Sequence, residues 1–396
     1  MNAAIYEPSA VHDLDRTLAP AGADGLRAWC AVDLGALRHN AAVLRARAGV
    51  PIVPMVKADA YGLGVEAVSR ALGAPFATPC PIPGVPHERA GDVTPWALGV
   101  ATVREAEQLR ALGATGRVLC TSPVLPEELA RLAQARTTPA LHREADVRAW
   151  RALTPAPWHL GIDTGMQRAG VPWREVEALR DVVAEHPPEG VFTHFHSADR
   201  ADGTRELQEA RFRDALARLP LPADTLRHTD NSWAHVARSP SPWELTRPGI
   251  ALYGSPSDGP LGLRPVLHVH ARIVDLRDVR PGDTVSYEGT FTATRATRIA
   301  TIAIGHADGY RRAFSNRGVA LLHGRRVPVA GVVTMDMTML DVTDVPCAVG
   351  DVVTLLGTDA RGSDVLTLDE VAALGALSPY ELLVGWRLRL PRVYRP

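Results

Sequence analysis

From Trp29 onward, short apolar runs alternate with segments whose apolar residues recur at three- and four-residue spacing. "AWCAVD" precedes "LGALRHNAAVLRARAG", "PIVPMV" precedes "GVEAVSRALG", "PWALGVA" precedes "TVREAEQLRALG", and "GRVLCT" precedes "PEELARLAQA". "PWHLGID", "GVFTHFH" and "LRHTDN" continue the strands, with "WREVEALRDVVAEH" and "TRELQEARFRDALARL" as helices between them. Val176, Leu179, Val182 and Val183 form the apolar stripe of one such helix. About eight strand–helix units over roughly 235 residues predict an α/β fold, a parallel (β/α)8 TIM barrel rather than an open doubly wound sheet.

After about Leu263 the rhythm changes. "HVHARIVDLRDV", "DTVSYEGTFTA", "TRIATIAI", "GVALLHG", "RRVPVAGVV", "TMLDVT" and "GDVVTLLG" are short β-branched runs separated by Gly, Asp and Pro. They predict an antiparallel, mostly-β domain with few helices until "TLDEVAALG". The expected organisation is an N-terminal arm over 1–26, a barrel over 27–264 and a C-terminal β domain over 265–396. Residues 74–95 carry six prolines. Proline blocks both helix and central strand, so this stretch reads as an ordered surface loop or lid.

The bulk composition narrows the function classes. A formal net charge of −1, with arginines interleaved among acidic residues, argues against nucleic acid or an anionic membrane as the main partner. No run approaches the ~18 apolar residues of a membrane span. The four cysteines, Cys30, Cys80, Cys120 and Cys347, lie far apart, which suits a reducing compartment. The N-terminus has neither a basic start nor an apolar run, so no signal peptide is expected. The expected location is the cytoplasm.

Of 43 basic residues, 42 are arginine and one is Lys57, in "PMVKADAYGLG". Arginine replaces lysine wherever charge alone is needed. It cannot replace an amine that must lose its proton and form an imine. Lys57 is therefore a candidate nucleophile, at the end of a strand where barrel enzymes place catalytic side chains. Gly62 and Gly64 follow and are expected to open a helix whose N-terminus receives a phosphate. A lysine beside a phosphate cradle suggests pyridoxal phosphate. Two other readings attach to this region and to "THFHSAD". "GLGVEA" matches the dinucleotide fingerprint, but no acidic strand end follows about 20 residues later. His194 and His196, two apart on a predicted strand, share a face and could bind zinc, although further His and Asp ligands are then required.

Taken in order, "PMVKADAYGLG", "HLGIDTGMQRAG", "THFHSAD", "TDNSWAH", "TRPGIALYG", "DTVSYEGTFTA", "IGHADGY", "VVTMDMT", "SPYELL" and "PRVYR" resemble the motifs of the alanine racemase family of fold-type III pyridoxal-phosphate enzymes. The resemblance spans Trp29 to Tyr394. It implies that Lys57 carries the cofactor and serves as base on one face of Cα, with Tyr287 as the opposite-face base from a partner subunit. It implies that Arg247 hydrogen-bonds the pyridine nitrogen, that His194 is linked to Arg247, and that Tyr61, Ser232, Gly249, Ile250 and Tyr380 bind the phosphate. Arg168 would border the substrate carboxylate, as would Met335 and Asp336 from the partner subunit.

The implied function is interconversion of L- and D-alanine by two-base proton transfer, supplying D-alanine for peptidoglycan, in a homodimer with shared sites. Two positions depart from the family pattern. Gly161 stands where many members carry a carbamylated lysine that orients the arginine matched by Arg168. His306 stands where a tyrosine lines the entrance, which leaves a racemase of broader or different specificity (serine or basic amino acids) as the nearest rival. A fold-type III decarboxylase would place an acid, not Arg247, against the pyridine nitrogen. A single-barrel cofactor carrier would lack the β domain.

Overall fold

The computed structural model describes residues 23–79, 82, 83, 85, 94–359 and 361–396. Most of the expected arm, and the centre of the proline-rich stretch, lie outside the described residues. The chain forms two units. One spans Leu37–Tyr253 with Asp258–Leu263; the other takes the residues up to Ala36, Gly254–Ser257 and Arg264–Pro396.

The first strand, β1 (Ala28–Asp33), departs from expectation. Its place in the rhythm assigns it to the barrel, yet it lies in the sheet of the β unit. It runs antiparallel to Leu267–Val279 and parallel to Arg392–Arg395. Trp29, Cys30, Ala31 and Val32 are all buried. A strand covered on both faces has a continuous apolar signature in either setting, and only its distant pairing partners distinguish the two. The barrel unit therefore begins within the following helix, Leu34–Ala48, at Leu37.

In the barrel unit, β2 (Leu98–Val100), β3 (Val118–Cys120), β4 (Thr138–Leu141) and β5 (His159–Asp163) pair in parallel, with the short β6 (Val171–Pro172) at the end of β5. β7 (Gly190–Phe192) and β8 (Leu226–His228) continue the sheet from β5. Two extended segments close it into a ring. Residues 245–247 bond to β8 and its extension through Leu245 N–H to Arg227 O (3.2 Å) and Arg247 N–H to Asp230 O (2.8 Å). Residues 51–56 bond to them through Val53 N–H to Thr246 O (2.7 Å), and to β2 through Val56 N–H to Gly99 O (2.8 Å). Pro51, Pro54 and Pro248 remove donors here, so the seam is made of isolated bridges, Ile52 to Thr246 and Met55 to Gly99, rather than full ladders. Val53, Ala97, Leu119 and Leu245, one from each of four ring members, pack together in the interior.

The predicted helical stripe is buried as expected at Val176, Leu179, Val182 and Val183. The segment nevertheless divides into a 3-10 turn, Val176–Leu179, and an α-helix, Arg180–Glu185. Helix Val103–Ala111 begins in a capping box. Thr102 accepts from the Glu105 N–H, and the Glu105 carboxylate accepts from the Thr102 N–H.

In the β unit, β9 (Leu267–Val279) is the spine. It pairs with β1, with β12 (Thr297–Ile302) and with β16 (Val352–Thr358). β13 (Val319–Leu322) and β14 (Arg325–Pro328) extend the sheet beyond β16, and β18 (Arg392–Arg395) lies outside β1. β15 (Thr338–Asp341) flanks β12, and β17 (Val365–Leu366) flanks the end of β16. β10 (Thr284–Val285) and β11 (Phe291–Thr292) form a separate hairpin. The predicted helix is present as Leu368–Leu374, with Thr367 as its N-cap.

Candidate active site

Lys57 follows the seam strand 51–56 directly, at the carboxyl-terminal mouth of the ring. Burial lowers its pKa, the positive charge of Arg168 lowers it further, and Glu105 opposes them. Both leading causes favour the free amine that imine formation requires.

The chain after Lys57 does not open a right-handed helix. Ala58, Asp59, Ala60 and Tyr61 have φ of 54°, 55°, 53° and 57°, one turn of left-handed helix. Each such residue costs roughly 1–2 kcal/mol against the right-handed form, so neighbouring contacts must hold the turn. Glu105 Oε1 accepts the Ala58 N–H at 2.8 Å, and Asp59 Oδ1 accepts the Val65 N–H at 2.8 Å. Tyr61 is buried against Tyr253, their rings 4.7 Å apart, and Tyr253 Oη donates to Met55 O. The right-handed helix begins only at Val65, after Gly64 at φ 97°.

A polar cradle lies beside Tyr61. Ser232 Oγ accepts N–H groups from Gly249 (2.8 Å) and Ala251 (3.2 Å). A Cβ on Gly249 would stand 2.5 Å from Tyr61 Oη, so the position tolerates only glycine. Ile250, fully buried, starts the 3-10 turn Ile250–Tyr253. With these two amides bonded to Ser232 Oγ, Ser232 and Tyr61 contribute hydroxyls to one point, the kind of donor a phosphate monoester takes. With a depressed-pKa amine at Lys57 and a buried guanidinium at Arg247, the lining fits a phosphorylated aldehyde such as pyridoxal phosphate.

Arg247 is 4% exposed. Burial pulls its pKa down to about 10, with Asp230 opposing, so it stays cationic at neutral pH. Nη1 donates to His228 Nδ1 and to His228 O, each at 2.6 Å, and Nη2 donates to Thr193 O at 2.7 Å. The histidine hydrogen-bonded to Arg247 is His228, a partner that the resemblance did not name. His194 lies within the electrostatic reach of Arg247, Arg168 and Lys57. Burial first and then those three charges lower its pKa to about 3.

The network continues inward from Arg247. Arginine only donates, so His228 Nδ1 accepts and Nε2 carries the proton. His228 Nε2 then donates to His159 Nδ1 at 2.9 Å, and His159 Nε2 faces Glu189 Oε2 at 3.5 Å. Glu189 pairs with Arg117 at 2.6 Å. Phe192 stacks on His228 with centroids 5.1 Å apart and lies under the Arg247 guanidinium.

Arg168 is exposed at its side chain, and its main chain is held by Asp163. Asp163 Oδ1 accepts the Gly165 N–H at 2.8 Å, and Oδ2 accepts the Arg168 N–H at 3.1 Å. Gln167, at φ 57°, completes the bend. A Cβ on Gly161 would meet the Phe192 ring at 3.4 Å. His196 is exposed and its Nδ1 lies 2.7 Å from Ser197 Oγ. No group of three or more His, Cys, Asp or Glu side chains among the described residues is arranged to hold a metal.

Four expected residues, and His306, lie in the β unit. Tyr287 begins the turn Tyr287–Gly289, between Ser286 at φ 68° and Glu288 at φ 63°, and its side chain is 66% exposed. Ser286 Oγ anchors that turn by donating to Val332 O at 2.7 Å. Met335 is exposed, and Asp336 pairs with Arg389 at 2.7 Å. The His306 N–H donates to Thr334 O at 2.9 Å. Tyr380 lies in the first turn of helix Pro379–Val384.

Comparisons with known proteins cover both units. The family description "Alanine racemase, N-terminal domain" matches residues 32–78 and 92–257, and "Alanine racemase, C-terminal domain" matches 266–394. An alanine racemase of Syntrophobacter fumaroxidans is 38% identical over 374 residues, covering 89% of this chain and 94% of that protein. One from Deinococcus radiodurans is 37% identical over 372 residues, covering 92% and 98%. Among solved structures, alanine racemase from Bartonella henselae with covalently bound pyridoxal phosphate superposes at TM-score 0.81 and 27% identity, covering 93% of this chain and 99% of that one. The biosynthetic enzyme from Pseudomonas aeruginosa superposes at TM-score 0.79 and 33% identity, covering 93% and 99%.

Proposed function

This chain belongs to the alanine racemase family, a pyridoxal-phosphate-dependent isomerase that interconverts L- and D-alanine, and on that premise we propose how its residues divide the work. The carrying observation is the single lysine, set at the barrel mouth with a depressed pKa and neighbouring the Tyr61–Ser232–Gly249 cradle. When bound, pyridoxal phosphate supplies a carbonyl for amines and a ring that draws electrons from Cα.

Lys57 holds the group through Nζ and moves the Cα proton on one face. Tyr287 Oη serves the other face, from the partner subunit of a homodimer. The exposure of Tyr287 and Met335 in this chain suits surfaces that a second copy covers. Tyr61, Ser232, Gly249, Ile250 and Tyr380 bind the phosphate. Arg247 meets the ring nitrogen, and His228 fixes the direction of its donors. Because an arginine keeps its proton, Arg247 would offer the ring nitrogen a hydrogen bond and no transferable proton, which would moderate the electron withdrawal the cofactor supplies. His194, neutral at working pH, would add no charge beside Arg247, Arg168 and Lys57. Arg168 borders the substrate carboxylate, and the Met335–Asp336 turn does so from the partner subunit. The product D-alanine serves cell-wall synthesis in the cytoplasm.

The test is the purified enzyme with cofactor and L-alanine in heavy water. Deuterium entry at Cα together with loss of optical activity supports this reading. Deuterium entry with full retention of the L form would refute two-face transfer.

A further inference from the structure

Arg389 carries no role so far, yet it ties together two turns at which substrate-facing residues are expected. Its Nε and Nη2 donate to the two oxygens of Asp308, at 2.7 and 3.0 Å. Its Nη1 lies 2.7 Å from Asp336 Oδ1. Asp308 is 3% exposed, and its Oδ2 also accepts the Gly305 N–H at 2.9 Å, so that end of the fork is fixed. Asp308 O accepts the Arg387 N–H at 2.8 Å, which pins the segment carrying Arg389 to the same turn.

The two turns also bond directly. His306 N–H donates to Thr334 O at 2.9 Å and Ala307 N–H to Met335 O at 3.0 Å. The approach is so close that a Cβ on Gly305 would stand 2.3 Å from Thr334 O. The entrance turn bearing His306 and the turn bearing Met335 and Asp336 thus form one body, with Arg389 as its cross-link. Bidentate arginine–carboxylate geometry within a network is the arrangement in which a partly exposed ion pair matters.

We propose that Arg389 is a positioning residue of the racemase, which holds Asp336 in place and masks its negative charge from the substrate carboxylate. The proposal rests on the reading that Met335 and Asp336 border that carboxylate. An aspartate beside a carboxylate repels it, and a guanidinium bonded to the aspartate offsets that repulsion. Removing the guanidinium leaves Asp336 both mobile and uncompensated. Substrate binding then weakens while the proton-transfer groups are untouched.

The experiment measures KM and kcat for alanine in the holoenzyme, with cofactor absorbance and thermal midpoint as controls. Variants are Arg389→Met, Asp336→Asn, the double variant and Met335→Ala. Arg389→Met raises KM about tenfold, the loss of one charge-assisted contact, with kcat changed far less. Asp336→Asn added to Arg389→Met recovers most of that loss, a coupling that a purely structural role would not give. If Arg389→Met does not fold, Arg389→Lys substitutes, with a smaller KM rise that Asp336→Asn likewise relieves. A KM that moves with Met335→Ala but not with Arg389→Met overturns the clamp alone. A KM unmoved by all the variants overturns the placement of the turn at the substrate. Equal falls in stability and kcat without rescue by Asp336→Asn show a structural role only and overturn the proposal.

Discussion

Arg247 Nη1 and His228 Nδ1 are 2.6 Å apart in a buried site, and since arginine can only donate, this contact fixes the histidine tautomer. His228→Leu removes the acceptor and leaves a buried guanidinium short of a partner. A hydrogen bond to a charged group is worth ~1.5–3 kcal/mol, so a fall of roughly ten- to hundredfold in kcat/KM is expected. Steady-state kinetics and absorbance titration of the cofactor check it. A variant with unchanged values of both would detach His228 from the function of Arg247.

Gly249→Ala places a methyl 2.5 Å from Tyr61 Oη. Tyr61 cannot retreat easily, because its ring packs on Tyr253 and its backbone is the last residue of the left-handed turn. Cofactor affinity should fall at least tenfold, an order-of-magnitude cost for overpacking. Adding Tyr61→Phe relieves the clash but forfeits the hydroxyl, so the double variant should recover only part of the loss. Equilibrium dialysis of the cofactor distinguishes full, partial and no recovery.

Lys57 and Tyr287 separate in an exchange experiment. Tyr287→Phe should stop deuterium exchange from L-alanine while leaving exchange from D-alanine measurable. Lys57→Arg should abolish exchange from both, together with the visible absorption of the bound cofactor. Equal loss from the two enantiomers in Tyr287→Phe would remove its face-specific role.

Acid should destabilise the protein through its buried histidines. Burial is the leading cause that lowers His159, His194, His228, His235, His268 and His270, with His194 at about 3 and both His235 and His268 at about 4. The unfolded chain titrates near 6.5 and binds protons that the folded chain refuses, so unfolding takes up protons. Their stabilisation is complete above about pH 6.5 and is lost as pH falls toward about 4, each histidine adding a slope of up to ~1.4 kcal/mol per pH unit. Urea midpoints measured from pH 8 to 4.5 should decline steeply below 6.5. A flat profile would mean that these imidazoles find partners when charged.

The two architectures were legible because periodicity changes near Leu263, and Lys57 was legible because it has no equal in the chain. The sheet to which β1 belongs is not legible in the sequence, since burial on both faces looks the same in either sheet while its partners lie at the far end of the chain. His228 within "LRHTDN" carries one usable signal, its place at the end of a barrel strand. The left-handed turn at 58–61 was invisible in principle. Ala, Asp, Ala and Tyr have no shared preference for positive φ, and contacts made elsewhere in the fold impose it.

The seam of the barrel joins the first and last ring members of its unit, residues 51–56 and 245–247, through scattered bridges interrupted by prolines. Such a junction carries the greatest loop-closure entropy in the unit, so it should form late in folding and open early in unfolding. Lys57 stands on one side of that junction, and Arg247 and Gly249 on the other. A ligand held by both sides works as a clasp. A cofactor bound across the junction would therefore hold the barrel closed by mass action as well as support turnover.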